Sequence, residues 1–344
     1  MSIRHIASFA ARAARQAAAA LAFAGLALGT SPAGAQEIVM KFATQTINDI
    51  QHEYMKVYKT ELEARTNGRI KVELYPASQL GGSQRQTEGL RFGTIEAAIG
   101  PAELFVGADK RYQGLAMTGL WKDVNHARRV LDKPEVRELI ASIGNQRGIV
   151  TIGTMVYDMQ MFNTKQPIEK IADFSGRRIR VLASDTEQAA VQALGGSSIP
   201  MSLQEVLPAM QQGTIDGLTS VVGVFASFRY YDAAPYITDT RLWALIPVAL
   251  VSKVWFDKLP PDLQQAVKET GQKIEPAIHK WQLDRINSDR EVWAKANGKI
   301  LTLSPEDQAE AQKRVLATVE PILAKDPPLR AFYEKLRSLA QSVN

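Results

Sequence analysis

The chain has 344 residues, of which 45% are hydrophobic and 22% charged, with a formal net charge of +5. That is the composition of a globular protein of one large or two medium domains, with enough apolar material for a sizeable core; it leaves little room for disorder as the main state. Cysteine is absent, which excludes disulfides, thiolate zinc sites, iron–sulfur clusters and cysteine nucleophiles.

The first stretch reads as an export signal. Residues 1–16 carry Arg4, Arg12 and Arg15 and no acid, Ala17–Leu28 is apolar, Pro32 breaks the run, and Ala33-Gly34-Ala35 supplies small residues in an A-x-A pattern. This predicts a secretory signal peptide cut after Ala35. The apolar run of about 12 residues is short of the ~20 that a membrane-spanning helix needs. Removing residues 1–35 lowers the net charge from +5 to +2. No basic block interleaved with aromatics remains, so no nucleic-acid footprint is present.

Beyond the signal, strand and helix patterns alternate. Residues 37–43 predict a strand, 50–66 a helix stopped at Asn67-Gly68, and 69–75 a strictly alternating strand ended by Pro76. A helix over 84–92 with Gly93 as its stop, a short strand at 97–99, a helix over 124–144 and a strand over 149–156 follow. The second half alternates in the same way. It holds a strand at 178–182, helices over 185–194 and 202–212 each ended by glycine, and an apolar strand region over 242–251. From Asp262 the residues Leu263, Val267, Ile274, Ile278 and Trp281 fall at helical spacing, in a helix running towards Trp293 with a kink at Pro276. The alternation predicts an α/β fold with largely parallel sheets, in two lobes with a ligand cleft between them. We expect lobe 1 over 36–156 plus about 247–286, and lobe 2 over 157–246 plus about 287–344.

Five segments, in order, carry a family resemblance: Thr66–Gly81 (TNGRIKVELYPASQLG), Ile171–Val181 (IADFSGRRIRV), Gly195–Gly213 (GGSSIPMSLQEVLPAMQQG), Thr214–Gly217 (TIDG) and Val251–Pro260 (VSKVWFDKLP). Together they resemble the periplasmic solute-binding subunit of a tripartite ATP-independent periplasmic (TRAP) transporter, of the dicarboxylate-binding type. The resemblance implies a periplasmic binding protein with two lobes and a long helix spanning both. It implies hinged closure around a small organic acid and delivery to the cognate TRAP membrane permease, driven by an ion gradient. No cofactor and no metal are implied.

The resemblance also points to residues. Arg180 matches the arginine that pairs with the ligand carboxylate, a role suited to the planar, bidentate guanidinium. Strand alternation alone puts Arg178 and Arg180 on one face and does not choose between them. Relatives that bind dicarboxylates or sugar acids usually follow Asp-Gly with Gln-Glu-Asn-Pro, whereas here Leu218-Thr219-Ser220-Val221 follows, with Ser220 where the ligand-binding asparagine is expected. Met159, to within one residue, stands where a second arginine is often found. Leu203 matches a position that packs on the ligand, Trp121 lies near the aromatic of a cleft loop, and Trp243 lies in the segment that replaces a frequent Asn-His. Gln45, with Thr44 and Thr46, follows the first strand, where ligand-facing loops of open α/β sheets lie. One arginine with softer walls predicts an aromatic or apolar monocarboxylate as ligand.

Two rivals exist. A binding protein of an ATP-driven importer or of a chemoreceptor system would share the lobes and cleft. An exported hydrolase has little support: there is no G-x-S-x-G elbow, and His52, His126 and His279 show no H-x-x-x-H spacing.

Overall fold

The computed structural model describes residues 38–343; the predicted signal peptide and its cut lie outside them. In chain order the strands are β1 (Ile38–Thr44), β2 (Ile70–Tyr75), β3 (Ala97–Pro101), β4 (Ile149–Thr154), β5 (Asp158–Met159), β6 (Met161–Thr164), β7 (Arg178–Val181), β8 (Ser197–Pro200), β9 (Gly217–Ser220), β10 (Tyr236–Thr238), β11 (Ala244–Leu245), β12 (Pro247–Ser252) and β13 (Lys299–Leu301). The helices are α1 (Ile50–Arg65), α2 (Ser83–Phe92), α3 (Val124–Leu131), α4 (Pro134–Ala141), α5 (Asp185–Leu194), α6 (Val206–Gln211), α7 (Val222–Ser227), α8 (Lys253–Phe256), α9 (Pro261–Lys295), α10 (Pro305–Leu316), α11 (Val319–Leu323) and α12 (Pro327–Gln341).

Local chemistry sets most boundaries. Asp49 caps α1 by accepting from the His52 N–H at 3.1 Å. Helices α2 and α5 stop at Gly93 (φ 76°) and Gly195 (φ 102°), left-handed positions where a side chain would be strained. The single helix expected over 124–144 is instead two, because Pro134 has no N–H for the preceding turn and starts a new helix. The helix expected over 202–212 begins as a 3-10 turn at Leu203–Glu205 and becomes α-helical only at α6.

Two sheets make two lobes. Lobe 1 has the order β2-β1-β3-β12-β4, and lobe 2 has β13-β10-β6-β9-β7-β8. Neither is as parallel as the sequence suggested. β12 runs antiparallel to both β3 and β4, and β6 runs antiparallel to both β9 and β10. β6 and β12 have each just crossed from the other lobe and enter their new sheet reversed, whereas β13, which follows the α9 crossing, pairs parallel with β10. The crossings lie side by side, with β5 paired antiparallel to β11 between the lobes.

The third crossing is α9. Its 35 residues span about 50 Å at 1.5 Å per residue, and it continues through Pro276. Its first half is held to lobe 1. Tyr58 Oη donates to the Val267 carbonyl at 3.0 Å, and buried Glu275 accepts from the Thr154 N–H at 2.8 Å and from Arg128 at 3.3 Å. Its second half reaches lobe 2, where Arg290 pairs with Asp239 at 3.1 Å and Trp293 is buried against Phe225. One apolar core runs continuously from Phe42 and Tyr54 through Val267 and Ile278 to Phe225 and Ile237. Separate cores fill the far face of each sheet.

The C-terminal region divides. Helix α10 packs Ala311 and Val315 into the lobe 2 core beside α5. Helix α12 packs Leu329, Phe332 and Leu336 into the far core of lobe 1, with Tyr333 Oη donating to the Thr118 carbonyl at 3.3 Å. This corrects the expectation that all of 287–344 lies with lobe 2. An amphipathic spacing shows that a helix has a face to bury, but not which lobe receives it.

The seat of α9 on lobe 1 is tight at Gly271. A Cβ there would lie 2.1 Å from the Ile152 carbonyl oxygen and 2.9 Å from Tyr54 Oη. Alanine is ordinarily favoured over glycine in a helix by ~1 kcal/mol. We therefore predict that Gly271→Ala lowers the melting temperature in a thermal denaturation scan. A raised melting temperature would show that α9 does not sit this closely on β4.

Candidate functional site

A cavity lies between the lobes where the sheet edges face one another. Lobe 1 contributes Gln45 and Thr46 after β1, Gln51 in the first turn of α1, and Pro101 and Leu104 at and after β3. The facing wall holds Gln160, Arg180, Leu182, Leu203, Thr219, Ser220 and Val224, and the crossing strand β11 adds Leu245. The parallel strands offer their carboxyl ends here, the usual place for a ligand in open α/β sheets. The cavity contains about 390 Å³ of atom-free space, its open mouth included. Leu104 and Leu182 line both this cavity and an outer groove bounded by Ser83, Arg85, Met201 and Glu205, so they stand between the chamber and solvent.

Among the described residues Arg180 is the one charged side chain of the lining. It is 2% exposed, and its Nε donates to the Met201 carbonyl at 3.0 Å. Among the described residues no carboxylate forms an ion pair with it; Glu187 and Glu205 act on it only through longer-range attraction. Burial pulls its pKa down, against that attraction. Two residues earlier on the same strand, Arg178 lies at the surface and grips Asp216 with two hydrogen bonds of 3.0 and 2.8 Å. The strand face is shared, but the depth differs: Arg178 is already paired, and Arg180 faces the chamber with its charge unmatched.

The polar wall is braced from behind. Glu187, in the first turn of α5 and fully buried, accepts from Gln160 Nε2 at 2.7 Å, from the Leu182 N–H at 2.7 Å and from Thr219 Oγ1 at 3.1 Å. On lobe 1, Asp49 accepts from Gln51 Nε2 at 3.2 Å and from Tyr157 Oη at 3.1 Å, and Thr44 Oγ1 donates to Gln51 Oε1 at 3.3 Å. Burial raises the pKa of both acids, opposed by these donors.

Of the residues singled out from the sequence, the structure brings Arg180, Ser220, Thr219, Leu203 and Gln45 onto the cavity wall. Three lie elsewhere. Met159 is buried in the lobe 1 core, on the short ribbon with Ala244, and its neighbour Gln160 takes the wall position. Trp121 is buried beneath α12 with its indole N–H donated to the Leu115 carbonyl at 2.7 Å. Trp243 packs edge-on against Phe162 at 6.3 Å, its indole facing Glu187 behind the wall. Both rings found internal packing partners; the Trp121 N–H is also satisfied, whereas Trp243 Nε1 is buried without a hydrogen-bond partner among the described residues. The sequence reading missed Gln160, Gln51, Leu104, Leu182, Val224 and Leu245. Gln160 carried one signal, a polar residue inside the apolar run Met159–Phe162.

Residues 43–326 match the model of the family described as bacterial extracellular solute-binding protein, family 7. The chain belongs to this family. It is a periplasmic solute-binding protein of the TRAP type, a transport component and not an enzyme, and its partners are a small organic-acid ligand and the cognate membrane permease. The 2,3-diketo-L-gulonate-binding periplasmic protein YiaO of Escherichia coli is 29% identical over 256 residues, 74% of this chain and 77% of that protein. The C4-dicarboxylate-binding periplasmic protein DctP of Shewanella loihica is 23% identical over 273 residues, 78% and 81% of the two chains. Among solved structures, a Haemophilus influenzae TRAP solute-binding protein with bound L-gulonate superposes with a TM-score of 0.83 at 21% identity, covering 88% of this chain and 100% of that one. A Desulfovibrio salexigens protein with bound orotic acid gives 0.82 at 22% identity, with the same coverage. No helix among the described residues is long and apolar enough to cross a membrane.

The crossing ribbon of this solute-binding protein holds a titratable group. Asp158 in β5 is pushed up from 3.8 to about 6, chiefly by burial, with Asp239 adding to the rise and the Met159 N–H, Arg290 and Arg241 opposing it. The folded protein therefore keeps a proton that the unfolded chain releases near pH 4. The corresponding stability is present below about pH 4 and is lost as pH rises through about 6. We predict that Asp158→Asn, which retains the acceptor for the Met159 N–H, flattens the decline of melting temperature between pH 4 and 6.5. An unchanged slope would show that Asp158 is ionised throughout.

Proposed function

We propose that this solute-binding protein captures one monocarboxylic acid with a compact, partly apolar body, and that Arg180 is the carboxylate anchor. The observation that carries this reading is the buried guanidinium with no acidic partner among the described residues. Leaving a charge buried and unpaired is costly, and a bidentate carboxylate relieves the cost. The absence of a second cation from the lining, among the described residues, favours one carboxylate over two. Leu104, Leu182, Leu203, Val224 and Leu245 suit an apolar body, while Gln45, Thr46, Gln51, Gln160, Thr219 and Ser220 meet polar substituents. The L-gulonate, orotic acid, succinate and L-malate bound by solved structures of similar fold are all acids, which accords with a carboxylate-reading site.

Lobe 1 is proposed as 36–156 with about 247–286 and the last helix, and lobe 2 as 157–246 with about 287–316, each built on its own sheet. Export is proposed to cut the chain after Ala35. Mass spectrometry of the secreted protein should then find Gln36 at its N-terminus, and a mass that retains residues 1–35 would contradict the cut.

The anchor is tested by titration calorimetry against a panel of aromatic and aliphatic monocarboxylates, C4-dicarboxylates and sugar acids. Arg180→Ala should weaken the acid that binds by ~2–5 kcal/mol, Arg180→Lys by less, and Arg178→Ala hardly at all. Undiminished affinity in Arg180→Ala would remove the anchor.

A further inference from the structure

Gln160 occupies the wall position next to Met159, and its amide cannot turn over freely. It is 1% exposed. A terminal amide is in general ambiguous by a half-turn, since its oxygen and nitrogen differ little in size. Here the orientation is decided by chemistry. Gln160 Nε2 donates to Glu187 Oε1 at 2.7 Å, and an ionised carboxylate is an acceptor only. A flipped amide would set two acceptors against each other.

Glu187 keeps its charge for reasons visible around it. It receives the Leu182 N–H and the Thr219 hydroxyl on its other oxygen, and Arg180 attracts it. Its acidic neighbour is Glu103, in the turn after β3 on lobe 1. Glu103 is fully buried, and neither of its carboxyl oxygens has a partner among the described residues. Two carboxylates in one dry place do not both ionise, and the proton goes to the one without donors. Burial first, and Glu187 second, hold Glu103 well above the ordinary range.

With its N–H₂ committed to Glu187, Gln160 has only its carbonyl oxygen left. That oxygen is buried at the cavity wall without a partner among the described residues. Gln45, on the lobe 1 wall, also keeps a buried unpartnered amide nitrogen, but no carboxylate fixes its direction, so it meets a donor or an acceptor equally well. Gln160 does not have that choice. We propose that Gln160, locked by Glu187 with its carbonyl oxygen free at the cavity wall, makes this protein select carboxylic acids that carry a hydrogen-bond donor, a hydroxyl or N–H, on the carbon skeleton. A ligand without one leaves a buried acceptor unsatisfied, which weakens binding by about ten- to a hundredfold.

This rests on the carboxylate reading of Arg180, and the test separates the two. Matched pairs differing by one hydroxyl are titrated into the full mature protein: lactate against propionate, mandelate against phenylacetate, malate against succinate. For any pair that binds, the hydroxylated acid should bind at least tenfold tighter. Gln160→Leu should reduce that ratio to below about threefold, mainly by weakening the hydroxylated member. Glu187→Gln, which releases the lock, should also lower the ratio while binding stays dependent on Arg180. Circular dichroism melts confirm that both variants fold, and the wild-type ratio stands as a test without them. Equal affinities within a pair on the wild type, or a preference that survives Gln160→Leu, would overturn the proposal and leave the carboxylate anchor intact. If no acid binds and Arg180→Ala changes nothing, the carboxylate reading fails and this proposal fails with it.

Discussion

A guanidinium buried without an acid beside it is half of an ion pair. Arg180 is in that state, and the rest of the site is arranged so that no described side chain of the protein completes it. Arg178 shows the contrast. Both sit on β7, both are arginines, and Asp216 lies within reach of the outer one. The inner one receives only the Met201 carbonyl on Nε. Glu187 is near enough to soften the charge but is fully occupied by Gln160, Leu182 and Thr219. In a chamber closed by leucines the attraction between Arg180 and an incoming carboxylate is stronger than it would be in water. The same dryness makes every unpaired polar atom on the wall costly.

The fold serves this arrangement by bringing two sheet edges together and holding them with three crossings. β5 and β11 pair between the lobes, and α9 spans both. Glu275 ties α9 to the end of β4, and Arg290 ties it to Asp239 on the other side. The cavity wall therefore draws on segments as far apart in sequence as Gln45 and Leu245. Its side chains are positioned by a second layer, Asp49 on lobe 1 and Glu187 on lobe 2. What is left facing the chamber is a cation, the Gln160 amide held by Glu187, the Gln51 amide held by Asp49, the freer Gln45 amide, a few hydroxyls, and a band of leucines and valine.

Much of this was legible in the sequence, and the exceptions have physical causes. The alternation of Arg69–Tyr75, the glycine stops at Gly93 and Gly195, and the spacing from Leu263 onwards are local signals, and the elements they foretell are present. Antiparallel entry of β6 and β12 was not legible, because it depends on where the chain crosses rather than on any strand's own residues. Alternation placed Arg178 and Arg180 on one face; the resemblance to the TRAP family chose Arg180, and depth in the sheet is what separates them. Met159 and Gln160 are adjacent and both buried, so a match good to one residue could not assign the wall position. Trp121 and Trp243 stand among the candidate ligand-binding residues because exposure is not written in residue type. One is part of the core under α12, and the other packs edge-on against Phe162 behind the wall.

The central claim is that an unpaired Arg180 recognises a negatively charged carboxylate. It is tested most directly by comparing an acid that binds with its neutral primary amide, a partner of nearly the same shape, in the same calorimetric titration. The account predicts that the acid binds at least about a hundredfold more tightly, since a charge-assisted bidentate pair is replaced by neutral contacts that leave the guanidinium uncompensated. Equal affinity of acid and amide would contradict it.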